Sequence, residues 1–193
     1  DIYHSQLVEV GAPNASTNFK SNNSEAYWRA TKGYQNFKSG NQSRSKIVYA
    51  GSNGGTLHAF NSDDGSEEWA FVPPFIAAQL PLLINKNYDG AFESDLKAGG
   101  SNAIFGVDGS PVIHDAFIYG LRSDGSEYEE MKSWRTLLFI PYGRGGAGFS
   151  VLDVTIPKVT AGADGEVGTG PLHMFSMYNL SLIHISEPTR PLR

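Results

Sequence analysis

Residues 47–72 read IVYAGSNGGTLHAFNSDDGSEEWAFV, and this stretch indicates the fold class of the whole chain. Two segments rich in turn-forming residues, 51–55 and 61–66, divide it into short apolar runs. Their Asn-Gly, Gly-Gly and Asp-Gly pairs accept the positive φ angles that tight turns between antiparallel strands require. The pattern therefore predicts a three-stranded antiparallel meander with its strands at residues 47–50, 56–60 and 68–72.

Similar runs and turns occupy much of the remaining chain. Five Asp-Gly pairs and one Asn-Gly pair separate short apolar runs, which is typical of an all-β protein. The unit of strand, Gly-rich turn and strand at residues 47–61 recurs at residues 137–153, about two blade lengths later if a propeller blade takes roughly 40–45 residues. We therefore predict an all-β fold, a partial β-propeller of antiparallel meander blades with long surface loops. Further strands are predicted at residues 7–10, 112–119, 134–140, 149–154 and 172–178.

Three connections between the predicted strands are long. Residues 13–45 are rich in Asn, Ser, Lys and Gly, so we predict a surface excursion with one helical turn at residues 25–31. Residues 75–84 are apolar without alternation, which indicates a short helix or a covering loop. Residues 121–132 are charged around an Asp-Gly pair, which indicates a loop.

The composition excludes several classes of function. The formal net charge is −5, which argues against a nucleic-acid partner bound through its phosphates. No uninterrupted run of about 18 apolar residues occurs, so no membrane-spanning helix is predicted. The chain contains no cysteine, which excludes disulfides, thiolate zinc sites and cysteine nucleophiles.

Several short motifs, in a fixed order, resemble those of a known protein family. They are DIYHS at 1–5, VGAP at 10–13, VYAGSNGGTLHAF at 48–60, VDGSPV at 107–112, WRT at 134–136, GGAG at 145–148 and LDVT at 152–155. In this order they are similar to blocks of the PilY/PilC-type proteins, which are type IV pilus biogenesis factors and tip adhesins. The resemblance extends over about residues 1–157. One departure is Gly54, where the family usually has Asp.

The resemblance implies a modified β-propeller at the tip of a type IV pilus. It implies a role in pilus biogenesis, twitching motility and attachment, with minor pilins of the tip and surface or host-cell receptors as partners. It also implies an exported protein of a Gram-negative bacterium, placed at the cell surface, pilus tip or outer membrane. Family members bind calcium in an Asp-rich loop that follows these blocks in family order, so no cofactor is expected within this chain.

No catalytic, cofactor-binding or metal-binding constellation is recognisable, and we predict that the chain is not an enzyme. Residues 61–65 offer oxygen ligands for a calcium loop but lack the later bidentate Glu, so a hairpin turn is predicted. Residues 143–148 are glycine-rich, but no helix follows as in a phosphate-binding loop, so a close-packed turn is predicted. The Arg and Lys residues are dispersed and form no basic stripe.

The histidines and tryptophans receive structural interpretations. His4, His58 and His114 have no spacing typical of metal ligands, and a hydrogen-bonded structural role is predicted for His58. Trp69 and Trp134 are predicted to anchor neighbouring blades, because large aromatic side chains supply much of the buried area between stacked sheets. Trp28 is predicted to anchor the excursion at residues 13–45 to the propeller.

Two alternatives to an adhesive pilus protein remain open. Residues 48–69 are also similar to the repeat of quinoprotein dehydrogenase propellers, although enzymes of that class commonly carry a vicinal cysteine pair, which is absent here. The second alternative is an outer-membrane scaffold propeller without an adhesive role, which the fold alone does not distinguish from an adhesin.

The domain prediction is an incomplete propeller over residues 1–179 with the excursion at 13–45. Residues 180–193 read LSLIHISEPTRPLR and resemble a translated sequencing adaptor, so we give Ile183, His184 and Ile185 no role. A ring of six or seven blades at about 40 residues each needs roughly 250 or more. We therefore expect three to four blades here, with an open strand edge and an exposed apolar blade face.

Overall fold

Eight strands and three short helices make up the computed structural model, which describes residues 2–18, 24–78, 80, 105–122, 124–162 and 168–179. The strands are β1 (Val8–Val10), β2 (Ile47–Gly51), β3 (Leu57–Asn61), β4 (Glu67–Phe71), β5 (Val112–Leu121), β6 (Tyr128–Pro141), β7 (Gly148–Asp153) and β8 (Leu172–Tyr178). The helices are α1 (Ser24–Thr31), α2 (Tyr34–Gly40) and α3 (Pro74–Ala77), with one 3-10 turn at Gly143–Gly145. Strands β1 to β4 form one antiparallel sheet and β5 to β8 a second, each in sequence order.

The meander predicted from residues 47–72 is present as β2, β3 and β4. The turn between β2 and β3 closes when the Ser52 N–H donates to the Thr56 carbonyl over 2.9 Å. Gly55 has a φ of 88°, a left-handed conformation that glycine adopts without a steric penalty. Leu57 and Ala59 alternate on one face of β3 and both are fully buried, as the period-two pattern predicts.

The two units of the internal sequence repeat form equivalent strand pairs, one in each sheet. Ile47 lies opposite Asn61 where β2 meets β3, and Leu137 lies opposite Asp153 where β6 meets β7. Both pairs occupy the centre of their sheets. Since the two sheets pack directly on each other, the repeat relates neighbouring blades, although its two units lie about two blade lengths apart in sequence. The extra sequence lies in the long connection between β4 and β5.

The hairpin of β5 and β6 is longer than the sequence predicts. β5 ends at Leu121 and β6 begins at Tyr128, so much of the charged loop predicted at residues 121–132 is strand. Lys132, for example, pairs with Tyr119 across the hairpin. Charge was a misleading signal here because this end of the hairpin is solvent-exposed, and an exposed strand accepts charged side chains.

The main core lies between the two sheets. Trp69 of β4 crosses this interface: its Nε1–H donates to the Pro157 carbonyl, which follows β7, over 2.7 Å, and its ring contacts Tyr49. Trp69 therefore anchors neighbouring sheets, as predicted. The buried members of the core are Val10, Ile47, Tyr49, Leu57, Ala59, Val107, Leu138, Ile140, Leu152 and Val154.

The two antiparallel meanders share a core, and neither sheet closes on itself. Neighbouring blades of a propeller have this arrangement. The prediction of an all-β partial propeller is confirmed. The described residues contain two four-stranded blades, so the prediction of three to four blades is not matched by this part of the chain. One physical reason is that much of residues 13–45 folds into helices and adds no strand to either sheet.

The described residues of the segment 13–45, which are 13–18 and 24–45, are better anchored than a surface excursion. They contain two helices where one helical turn was predicted, and Tyr34, the first residue of α2, is fully buried. The Trp134 Nε1–H donates to the Lys32 carbonyl over 2.9 Å, and its ring packs edge-on against Tyr34. Trp134 thus anchors the helices to β6 and not one blade to the next, which corrects its predicted role. Trp28 of α1 packs edge-on against Phe117 of β5 and anchors this segment as predicted.

The remaining predictions concern the chain between the sheets and the tail. α3 forms the first part of the apolar segment at residues 75–84. Within the described residues, no helix has the length and apolar character needed to cross a membrane. The residues at 81–104 and the tail at 180–193, with Ile183, His184 and Ile185, lie outside the described residues.

Candidate functional site

Parts of four of the motifs that carry the family resemblance, those at residues 1–5, 48–60, 107–112 and 145–148, meet at one end of the two sheets. The loop at residues 105–110 lies between the turn after β2 and the turn after β6. The Val107 N–H donates to the Ser52 carbonyl over 2.9 Å, and the Asp108 N–H donates to the Tyr142 carbonyl over 3.2 Å. The loop therefore links both blades through backbone hydrogen bonds. We call residues 51–55, 105–110 and 141–146 the junction.

Glycines allow the three segments of the junction to touch through their backbones. A Cβ at Gly51 would overlap the Val107 carbonyl, and a Cβ at Gly106 would overlap the backbone of Gly55. A Cβ at Gly145 would overlap the Gly106 carbonyl. Glycine is required at such positions because any other residue would push the segments apart.

The glycine-rich residues 143–148 form a turn, as predicted. The 3-10 turn at Gly143–Gly145 leads into β7, whereas a phosphate-binding loop leads into a helix. Gly143 has a φ of 57°, a left-handed conformation that favours glycine. These glycines therefore have a packing role within the junction.

The first motif of the sequence is held against the junction by its side chains. His4 Nδ1 lies 2.9 Å from both carboxylate oxygens of Asp108, whose side chain is only 3% exposed. The Gly51 N–H donates to the Ser5 hydroxyl over 2.9 Å. No local sequence pattern predicts this contact, because 104 residues separate His4 from Asp108. The sequence links the two residues in one way only: each belongs to a motif that resembles the known family.

The other two histidines singled out from the sequence each pair with one glutamate. His58 Nδ1 lies 2.6 Å from Glu67 on the neighbouring strand, and its ring stacks on Phe60. His114 Nε2 lies 3.0 Å from Glu25 of α1. The described residues contain no group of three or more His, Asp or Glu side chains that could hold a metal ion.

The calcium-loop candidate at residues 61–65 is a hairpin turn, as predicted. The Asn61 Oδ1 accepts the Asp63 N–H over 3.0 Å, and the Asp64 Oδ1 accepts both the N–H and the hydroxyl of Ser66. Gly65 has a φ of 74°. These oxygens are used within the turn, and the residues present do not fit the calcium loop that the family resemblance implies.

The two hydrogen bonds from Ser66 hold the pKa of the Asp64 carboxyl below its usual range. We expect Ser66→Ala to raise that pKa, because it removes the hydroxyl bond that has the largest effect. A carboxyl whose pKa is depressed in the folded state stabilises the turn above its unfolded pKa, and this contribution is lost as the pH falls through the folded value. A carboxyl NMR titration below pH about 5 measures the change. The matched control is Asp124, which accepts the same two bonds from Ser126 and should keep its pKa.

A partly buried polar network lies further along β5 and β6 from the junction, on the face that packs against the first sheet, where α2 meets the second sheet. Asp115 accepts the Tyr34 hydroxyl at Oδ2 over 2.5 Å and the Thr136 hydroxyl at Oδ1 over 2.7 Å. Arg44 donates from one terminal nitrogen to the Thr136 hydroxyl over 2.8 Å, and from Nε to the Gly11 carbonyl over 2.8 Å. Thr136 thus bridges the guanidinium and the carboxylate. The polar composition of residues 13–45 indicates a surface segment, so the sequence does not predict this network.

Burial changes the protonation chemistry of this network. Desolvation, together with the bond to Asp115, raises the pKa of the Tyr34 hydroxyl, so Tyr34 stays protonated and acts as a donor. Desolvation also lowers the pKa of the Arg44 guanidinium, although the Asp115 charge opposes that shift. The network therefore holds the Tyr34 hydroxyl and the Arg44 guanidinium in place as hydrogen-bond donors.

One serine–histidine contact occurs that the sequence did not reveal. His173 Nε2 lies 2.8 Å from the Ser176 Oγ, which in turn contacts the Ser150 Oγ at 2.6 Å. A hydrolytic triad also needs a group that orients the histidine. Among the described residues no carboxylate is hydrogen-bonded to His173, so the contact does not form such a triad.

Comparison with known proteins identifies close similarity over most of the chain. The family model of the PilY1 beta-propeller domain matches residues 1–165. A type IV pilus biogenesis factor PilY1 of Pseudomonas aeruginosa is 36% identical over 157 residues, which are 81% of this chain and 11% of that protein. A PilY1 homolog of Xylella fastidiosa is 31% identical over 158 residues, again 11% of its length. The chain therefore spans about a tenth of these relatives.

A solved structure has a similar fold over most of this chain. The crystal structure of the Pseudomonas aeruginosa PilY1 C-terminal domain superimposes with a TM-score of 0.52 at 26% identity. The match covers 88% of this chain and 25% of that chain. The two blades described above thus correspond to about a quarter of a larger domain.

Proposed function

The chain belongs to the PilY1 β-propeller family, and we propose from this that the protein carrying it acts in type IV pilus biogenesis. The observation that carries the proposal is the 36% identity over 157 residues to a protein named as a type IV pilus biogenesis factor. The motifs that make up this similarity include the junction residues, so the likeness extends to the residues that join the two blades.

The proposed role is mechanical and not catalytic. Several of the polar side chains that the ordered motifs contribute are engaged in holding segments together, as His4 and Ser5 are at the junction. A rigid connection between blades suits a protein that transmits or resists force at a filament end. We further propose that the whole protein is exported, acts at the pilus tip or outer membrane with minor pilins, and mediates attachment to surfaces or host cells. Its calcium site is proposed to lie in residues other than those described.

A segment exchange tests this proposal. Residues 1–165 of this chain replace the matching segment of PilY1 in Pseudomonas aeruginosa, and surface pili, twitching and attachment are measured against the unmodified strain and a strain lacking PilY1. We expect the exchange to restore all three. A matched exchange that carries Gly145→Ala should restore none of them, because the junction is disrupted.

Each outcome bears on one part of the proposal. A stable, exported exchange protein that leaves the cells without pili would contradict the role in pilus biogenesis. Normal pili with no recovery of attachment would favour the scaffold alternative over an adhesive role. Reconstitution of the purified exchange protein with pyrroloquinoline quinone should leave a flat cofactor spectrum, and a bound-quinone absorbance would contradict the non-catalytic role.

A further inference from the structure

A polar cavity of about 270 Å³ lies beside the buried network, between residues 9–15, α1 and the start of β5. Its lining includes two guanidinium groups, those of Arg29 and Arg44, together with Asp115 and Thr136. A cavity of this size admits several water molecules or one small ligand. The proposed pilus function makes no use of it.

Arg44 lines this cavity as a half-buried cation for which the part of the chain that the structure describes supplies no ion-pair partner. Its hydrogen bonds go to the Gly11 carbonyl, from Nε and one terminal nitrogen, and to the Thr136 hydroxyl from the other. A guanidinium has five N–H donors, so these three contacts leave two for another partner. Among the described residues, no carboxylate forms an ion pair with Arg44. A buried charge is usually paired, and an unpaired one favours an anionic ligand.

The acidic side chains of the cavity have other partners. Both oxygens of Asp115 accept hydroxyl groups, from Tyr34 and from Thr136. Glu9 lies 3.8 Å from Lys46 and accepts the hydroxyl of Ser62 over 2.6 Å. Neither carboxylate therefore neutralises Arg44 by direct contact.

Arg29 supplies a second guanidinium to the same cavity. Its Nε–H donates to the Ser16 carbonyl over 2.9 Å, while Glu25 lies 3.6 Å from one terminal nitrogen. Two guanidinium groups that line one cavity can both donate N–H groups to an oxyanion through charged hydrogen bonds. We propose that the cavity binds an oxyanion, which is either a phosphate-type group or the carboxylate of a peptide.

Hydrogen–deuterium exchange on the 193-residue chain tests the site without requiring a monomer. Exchange at residues 11–15 is measured with sodium phosphate, with sodium acetate, and with sodium chloride at the same ionic strength. We expect exchange to be at least about threefold slower with one or both oxyanions than with chloride, which should not slow it. Arg29→Gln should raise the concentration for half-protection roughly tenfold, the effect of losing a charged hydrogen bond.

The matched control is Arg122→Gln, which removes an exposed arginine paired with Glu127 away from the cavity. It should leave the half-protection concentration unchanged. Protection by phosphate alone assigns a phosphate-type ligand, and protection by acetate assigns a carboxylate. The proposal would be overturned if neither anion protected residues 11–15. It would also be overturned if the Arg29 and Arg122 variants raised the half-protection concentration equally. A failed pilus exchange with intact anion protection would refute the proposed function and leave this site standing.

Discussion

Gly145→Ala is expected to destabilise the chain by at least about 3 kcal/mol, the upper range for overpacking at a buried site. The added Cβ would overlap the carbonyls of Phe105 and Gly106, which are backbone atoms and do not move aside as a flexible side chain would. Relief requires the loop at residues 105–110 to leave the junction. That movement would break the hydrogen bonds of Val107 and Asp108 to the two turns.

Urea unfolding followed by tryptophan fluorescence measures this effect, since Trp69 spans the interface between the sheets. The matched control is Gly40→Ala, at the end of α2, where an added Cβ meets nothing within 4 Å. The free energy of unfolding of this control should stay within about 0.5 kcal/mol of the value for the parent chain. If both alanine variants unfold at the same urea concentration, the junction does not depend on close backbone contact.

The sequence was sufficient to predict the strands that depend on local signals. β2, β3 and β4 follow from alternating apolar residues and from turns that contain Asn-Gly or Asp-Gly, and β8 was predicted with its observed bounds, Leu172–Tyr178. These signals are local because side-chain alternation and positive φ angles are properties of a few neighbouring residues. The longer β5–β6 hairpin was missed in part, since exposed strands need not alternate in polarity.

The junction and the polar network depend on contacts that no local pattern encodes. His4 and Asp108 are 104 residues apart, and Tyr34 and Asp115 are 81 residues apart. The helices of residues 13–45 were underestimated because their sequence is polar, and their order comes from a few anchors such as Tyr34 and Trp134. Tertiary packing of this kind overrides weak helix propensity.

The face of the second sheet that points away from the first is apolar, and we call it the outer face. Val112, Phe139, Val151 and Phe175 lie opposite one another across its four strands. Phe175 is 40% exposed, and Met177, on the same strand, is 56% exposed. In a closed propeller such a face packs on the next blade. Left uncovered, an apolar patch of this kind drives association.

We therefore expect the 193-residue chain to self-associate through the outer face, and the double variant Phe175→Lys, Met177→Lys to be monomeric. The lysines place two positive charges on the outer face of each copy. Burying these charges against a second copy costs more free energy than the apolar contact contributes. Sedimentation velocity over a range of concentrations measures the change. Tyr128→Lys, Met131→Lys is the matched control, because these residues are 52% and 79% exposed but lie at the start of β6. Association through the outer face would be contradicted if the parent chain were monomeric. It would also be contradicted if the control variant dissociated the oligomers as fully as the Phe175→Lys, Met177→Lys variant does.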